Sequence, residues 1–251
     1  MTATTTARVI AFASPEQHLW GGLVATASGA ALVLGSGDAL QAIGPGALSL
    51  QAGDETWSVA GAGAALTVAP EPPGEDAEQD AAVLDPELGE PAERCTVRGR
   101  ATVGGAEVEL DCPALRFSLA IDDPRDAGSL RAVAGWFGPE LALSLGALRP
   151  LRSRGHDQDR ITATLFEDGR PRMVDEPRLS TTLHDDGLPA RMSMELWVAE
   201  GDDLYPRRAA GEATATGART PGDAPQLGGV PLTCHMAGRD GAGVYLLARL
   251  A

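Results

Sequence analysis

The chain has 251 residues and a formal net charge of −15 at pH 7, with 35 acidic against 20 basic residues. Such a charge repels a phosphate backbone, so we expect no nucleic-acid partner. Glycine (31) and proline (18) are abundant, while only 22% of the residues are charged. This composition is typical of a folded, turn-rich protein rather than a disordered one.

Targeting and redox signals point to the cytoplasm. Residues 1–12 lack the basic flank and apolar core of a signal peptide, and no window holds the roughly 18 apolar residues that span a bilayer. The cysteines Cys95, Cys112 and Cys234 are odd in number and form no CxxC pair. We therefore predict reduced thiols on strands, no disulfide and no zinc site.

Two stretches of the chain repeat one order of features. Residues 31–57 give an apolar strand, a Gly/Asp turn, a short strand, a proline, Leu-Ser, an acidic turn and a strand with Trp57. Residues 163–197 give the same order and end at Trp197. A repeated order of this kind indicates a duplicated structural unit.

A second pair of stretches supports the duplication. Residues 99–112 and 211–234 each contain a Gly-x-Ala-Thr strand, a glycine-containing turn and a strand that ends in cysteine. We therefore predict an all-β protein of two antiparallel β-units, residues 1–123 and 124–251. An acidic, proline-rich insert at about 70–93 is expected to form an exposed loop of the first unit.

Alternation of apolar and polar residues marks several strands, and sustained helical periodicity is rare. Residues 124–133, which join the two units, are the one helical candidate and are predicted to form a short linker helix or turn. The clearest strand predictions are Arg191–Val198, Glu107–Cys112, Thr56–Val59 and the closing strand Gly243–Leu250.

Two barrel-like units in tandem, with tryptophans near strand starts and the polar segment Arg152–Arg160 at the head of the second unit, resemble the hydroxyneurosporene synthase family, also called carotenoid hydratases or AttH-like proteins. The resemblance implies a double-lipocalin architecture. In that family a charged and aromatic segment near the junction is associated with the ligand cavity, and the segment here lacks the family's tryptophan. A barrel of about eight strands holds one small apolar ligand.

The polar segment carries the candidate catalytic residues. His156 stands beside Asp157, with Asp159 two residues further on and Arg154 before them. A histidine beside carboxylates is able to act as a general acid, with one carboxylate fixing its tautomer. The alternative is a solvated loop in which these charges pair loosely.

Aromatic residues are the candidate ligand-binding groups, together with Arg154. In a barrel they either line a ligand pocket or plug the barrel end. The histidines His184 and His235 lie near aspartates, but the sequence brings no three metal ligands together, so we expect no metal. The aromatic candidates are Trp20, Trp136, Phe137 and Trp197.

We predict that the protein binds a small hydrophobic molecule, a lipid or terpenoid, in a β-barrel cavity, and that it uses no cofactor. One alternative is a hydratase, isomerase or cyclase acting on such a molecule. Another is a non-catalytic module that contacts a protein through the insert or a sheet edge. Neither the oligomeric state nor the identity of the ligand follows from the sequence.

Overall fold

The computed structural model describes residues 5–72, 90–153, 158–201, 203–222 and 225–250. These residues form two antiparallel sheets, with a 3-10 turn at Pro15–Gln17. The predicted all-β class is confirmed. In this part of the chain, no helix is long and apolar enough to cross a membrane.

The first sheet contains nine strands. Their order across the sheet is β4-β3-β2-β1-β9-β8-β7-β6-β5, so the last strand of the unit pairs with the first at the centre. The strands are β1 (Thr5–Ser14), β2 (Leu19–Thr26), β3 (Gly29–Ser36), β4 (Ala39–Ile43), β5 (Ser49–Ala52), β6 (Trp57–Gly61), β7 (Ala64–Pro70), β8 (Glu93–Val103) and β9 (Ala106–Ile121).

The second sheet repeats this order as β13-β12-β11-β10-β19-β18-β16-β15-β14, with β17 added beside β18. Its strands are β10 (Ala127–Trp136), β11 (Ala142–Pro150), β12 (Arg160–Glu167), β13 (Arg170–Met173), β14 (Glu176–Leu183), β15 (Pro189–Glu200), β16 (Asp203–Ala213), β17 (Ala218–Arg219), β18 (Gln226–Met236) and β19 (Arg239–Arg249).

The shared strand order confirms two units of one topology and corrects part of the sequence alignment. The repeat of residues 31–57 at 163–197 places β3 on β12, β5 on β14 and β6 on β15, which are equivalent strands. The second repeat, residues 99–112 with 211–234, does not align equivalent strands, because it matches β8 to β16 and β9 to β18. By position in the sheet, β8 corresponds to β18 and β9 to β19.

The junction between the units contains no helix. Residues 127–136 form β10, so a helix over 124–133 is wrong, and the turn given as its alternative covers only residues 124–126. The strand is almost continuously apolar because both of its faces are buried, and such a run lacks the alternation that marks a half-exposed strand. Most of the acidic insert at 70–93 lies outside the described residues.

Each sheet curls around its own core, and a third core lies between the units. Strand β3 contacts β5 in the first unit, and β12 contacts β14 in the second. On β1, Ile10 and Phe12 face the interior of the first unit, whereas Val9 and Ala11 face the second unit. The centre of each sheet is therefore buried on both faces.

Candidate functional site

The interior of the second unit is apolar except at one end, which we call the mouth. At the mouth β10 and β12 begin and β11, β14 and β19 end. Side chains alternate along a strand, so residues two apart share a face. Arg131, Arg149 and Asp159 are each in phase with core residues of the interior, which are Val133 on β10, Ala147 on β11, and Ile161 and Ala163 on β12.

Asp159 forms the centre of this mouth. Its side chain is fully buried and receives two hydrogen bonds from Arg149, Nε to Oδ1 at 2.8 Å and Nη2 to Oδ2 at 3.0 Å. Arg131 Nη2 donates to the same carboxylate from β10. These hydrogen bonds to Asp159 raise the pKa of Arg149 above its ordinary value. The group therefore contains two guanidinium cations and one carboxylate.

Tyr245 and Thr181 complete the polar cluster. Tyr245 on β19 is fully buried, and its hydroxyl is 2.8 Å from Thr181 Oγ1 on β14. Burial raises the pKa of Tyr245, while its hydrogen bonds with Thr181 and Arg131 and the positive charges of Arg131 and Arg149 oppose that rise. The phenol therefore keeps its proton at neutral pH and remains a hydrogen-bond donor.

One hydrogen-bond donor at the mouth has no acceptor among the described residues. The Nε of Arg131 is buried and has no hydrogen-bond partner among the described residues. Only 8% of the Arg131 side chain is exposed. A buried donor without an acceptor is costly, and such a group in a folded protein requires an explanation.

The interior arginine of the first unit makes a useful comparison. Arg116 on β9 is buried and donates to the Glu93 carboxylate and to the carbonyl oxygens of Asp54 and Glu55. Its guanidinium also lies 5.1 Å from the centroid of the Trp57 ring. Arg116 is thus held by its own chain through every nitrogen, unlike Arg131.

A surface groove lies beside the mouth of the second unit. It has a volume of about 340 Å³ and is lined by His184, Asp186 and the segment 213–217, together with Leu188 and Val230. Leu188 and Val230 also belong to the interior core of this unit. The groove therefore borders the same apolar interior in which Tyr245 is buried.

The predicted ligand-binding aromatics lie in three different places. Trp20 packs between the units against Gly35 and Gly229, and Trp136 borders the same inter-unit core. Phe137 belongs to the interior core of the second unit, at the end opposite the mouth. Trp197 lies on the face of β15 opposite the interior residues Leu196 and Val198. These four side chains do not line one pocket.

The predicted catalytic residues are only partly described. Asp159 lies just before β12 and is held by two arginines. Arg154, His156 and Asp157 lie outside the described residues. His235 is on β18 with its Nδ1 2.9 Å from Asp240 Oδ1. Within the described ranges, no three His, Cys, Asp or Glu side chains are grouped as metal ligands.

Sequence reasoning missed Arg131, Arg149, Thr181 and Tyr245. The sequence does contain a signal for two of them. Arg131 is the single charged residue of the strand 127–136, and Arg149 is the single charged residue of the strand 142–150. A lone arginine in an otherwise apolar strand indicates either a paired interior charge or a binding group. No comparable signal marks Tyr245 and Thr181.

The fold defines a two-unit, lipocalin-like β-protein. No protein-family model matches the sequence, and no curated protein matches it significantly. Solved structures do share the fold. The structure of CghA with Sch210972 superimposes with a TM-score of 0.61 at 13% identity, covering 99% of this chain and 89% of that one.

Two further structures are similar to the same extent. A candidate AttH protein from Nitrosomonas europaea has a TM-score of 0.56 at 12% identity, covering 98% of this chain and 92% of that chain. Kievitone hydratase from Nectria haematococca has a TM-score of 0.56 at 6% identity, and the match covers 99% of this chain and 89% of that chain. The expected resemblance to AttH-like proteins is confirmed at the level of the fold.

Proposed function

We propose that this protein is an enzyme that acts on a small hydrophobic molecule in the second unit, in a hydratase, isomerase or cyclase reaction. The observation that carries the proposal is the cluster of Arg131, Arg149, Asp159, Thr181 and Tyr245 inside an otherwise apolar interior. The fold shared with kievitone hydratase agrees with this class of reaction.

Burial of these groups favours catalysis over simple storage of an apolar molecule. A carrier needs only an apolar lining, whereas buried charges and hydroxyls cost free energy unless they are paired. In a site that excludes water, fixed donors stabilise developing charge more strongly than they do in water. The cluster therefore offers preorganised donors at the place where a substrate oxygen would bind.

The proposed chemistry is activation of a conjugated carbonyl group. When water adds to the double bond of such a compound, negative charge grows on the carbonyl oxygen, and a proton is then added to carbon. Tyr245 would donate a hydrogen bond to that oxygen, and the positive charge of the arginine pair would stabilise it. Asp159 would hold both guanidinium groups in place. His156 and Asp157 remain the proposed proton carriers.

The test is conversion of a panel of conjugated ketones and their matched keto acids in deuterated water. We expect mass spectrometry to detect a water adduct or deuterium bound to carbon. Tyr245→Phe should lower the rate by at least about 100-fold, because it removes one oxyanion donor. Tyr205→Phe is the matched control, since this tyrosine is exposed on β16.

Two results would contradict the proposal. One is that no compound of the panel exchanges or adds water with the wild-type protein. The other is that Tyr245→Phe retains full activity while its thermal melting curve shows a folded protein. Binding of a panel compound without any conversion would instead support the ligand-binding function predicted from the sequence.

A further inference from the structure

We infer that the substrate of this site carries a carboxylate on an apolar body, and that Arg131 binds the carboxylate. The inference rests on the proposed function and names its substrate class. It follows from three observations. They are the charged side chains at the mouth, the buried Nε of Arg131 without an acceptor among the described residues, and the exposed leucines Leu151 and Leu183 at the same end.

The described side chains that meet at the mouth include two cations and one carboxylate. Strand β10 contributes Arg131, β11 contributes Arg149, and the residue before β12 contributes Asp159. Among the described residues, the other strands present neutral side chains to it: Thr181 from β14, Met192 from β15, Val230 from β18 and Tyr245 from β19, whereas Arg249 at the end of β19 is exposed. Two of the described cations thus bind one carboxylate in a chain whose net charge is −15.

A second anion would complete the hydrogen bonding of Arg131. Its Nη2 is held by Asp159 and its side chain also hydrogen-bonds Tyr245, but the buried Nε has no acceptor among the described residues. A guanidinium presents its N–H groups as a planar fork, and a carboxylate matches that fork with two oxygens. A buried charge is costly unless an opposite charge pairs with it. A ligand without an anionic group would therefore leave the buried Nε of Arg131 without an acceptor.

The surroundings select an apolar body for this acid. Leu151 and Leu183, on the turn after β11 and at the end of β14, are exposed at this end by 53% and 55%. Leu188 belongs to the interior core and lines the adjacent groove. Large apolar side chains exposed around a site typically contact a ligand. An amphiphilic acid fits both the charge and this rim.

The test compares decanoate with 1-decanol, which have the same chain length but differ in the head group. We expect isothermal titration calorimetry at pH 8 to show decanoate binding at least about tenfold more tightly. Arg131→Gln should abolish this preference. Arg191→Gln should retain it, because Arg191 pairs with Glu212 on the exposed face of the sheet.

Arg149→Gln is a second test that perturbs folding less, because 32% of its side chain is exposed. It should weaken decanoate more than decanol. The inference is overturned if the two compounds bind equally, if neither binds, or if folded Arg131→Gln keeps the preference. Conversion of neutral ketones but not of keto acids would remove the carboxylate class and leave the proposed function standing.

Discussion

Arg149 and Asp159 face each other in a bidentate ion pair, with Nε–Oδ1 and Nη2–Oδ2 distances of 2.8 and 3.0 Å. The pair joins the end of β11 to the residue before β12, and Arg131 binds the same carboxylate from β10. One buried carboxylate therefore connects three neighbouring strands at the mouth of the second unit.

Replacement of this carboxylate should strongly destabilise the protein. Asp159→Asn removes the buried charge to which both arginines donate, and we expect a loss of about 3–5 kcal/mol in the free energy of unfolding. Urea denaturation of the variant and the wild type measures this difference in the free energy of unfolding. Asp111→Asn is the control, because its pair with Arg98 is exposed and should contribute at most about 1 kcal/mol. Equal effects of the two variants would refute the central role of Asp159.

Alkaline pH should destabilise the fold through its thiols. Burial raises the pKa of Cys95, Cys112 and Cys234 to about 12 from 9.0. The folded state keeps these protons while the unfolded chain loses them, so stability is complete below pH 9 and falls between pH 9 and 12. The expected loss is about 1.4 kcal/mol per thiol for each pH unit above 9.

The chain contains no lysine, so few other groups titrate in this window. Urea denaturation at pH 8, 9, 10 and 10.5 gives the slope. Cys234→Ala should reduce that slope by about a quarter to a third, because it removes one of three similar thiols, and Tyr245, whose pKa burial also raises, adds to the loss near pH 10. A slope unchanged in Cys234→Ala would show that this thiol is not the cause.

The packing of Trp20 on Gly35 should tolerate no added methyl group. A Cβ at Gly35 would lie 2.1 Å from Trp20 Nε1 and 2.4 Å from Cε2. We expect Gly35→Ala to cost about 1–3 kcal/mol through overpacking. The cost should shrink when Trp20→Leu is also present, because the clash is gone. Additive losses in this double-mutant cycle would contradict the contact.

His156 is the proposed proton carrier that the sequence alone suggests. In the deuterium-exchange assay, His156→Gln should lower the rate by about 100-fold, within the range for loss of a general acid or base. His235→Gln is the control, because His235 forms an exposed pair with Asp240. Wild-type rates in His156→Gln would assign the chemistry to the described cluster without this histidine.

The sequence allowed prediction of the β class and of the repeated strand order, because the matched segments on β3 and β12 keep their turn residues. The prediction for residues 127–136 was wrong, because a strand buried on both faces lacks the alternation of apolar and polar residues by which a strand is distinguished from a helix. The second repeat was shifted by one strand because short Gly/Ala segments match by composition.

The site was harder to predict because its parts meet only across the curled sheet. Thr181 and Tyr245 are 64 residues apart, and their hydrogen bond depends on how far the sheet closes. Asp159 was a candidate because of its local sequence, whereas its partner Arg131 lies 28 residues earlier, on a strand that was expected to be a short helix or turn. Contacts between distant strands leave little trace in one sequence.

The pairing of each unit's first strand with its last also has a consequence for synthesis. Thr5 lies opposite Ile121, and Ser129 opposite Arg249, so each sheet is completed at its centre by the strand that leaves the ribosome last. Until then the apolar faces of β1 and β10 stay uncovered. Folding of each unit must therefore wait for its final strand, and nascent chains stalled before that point should need chaperones.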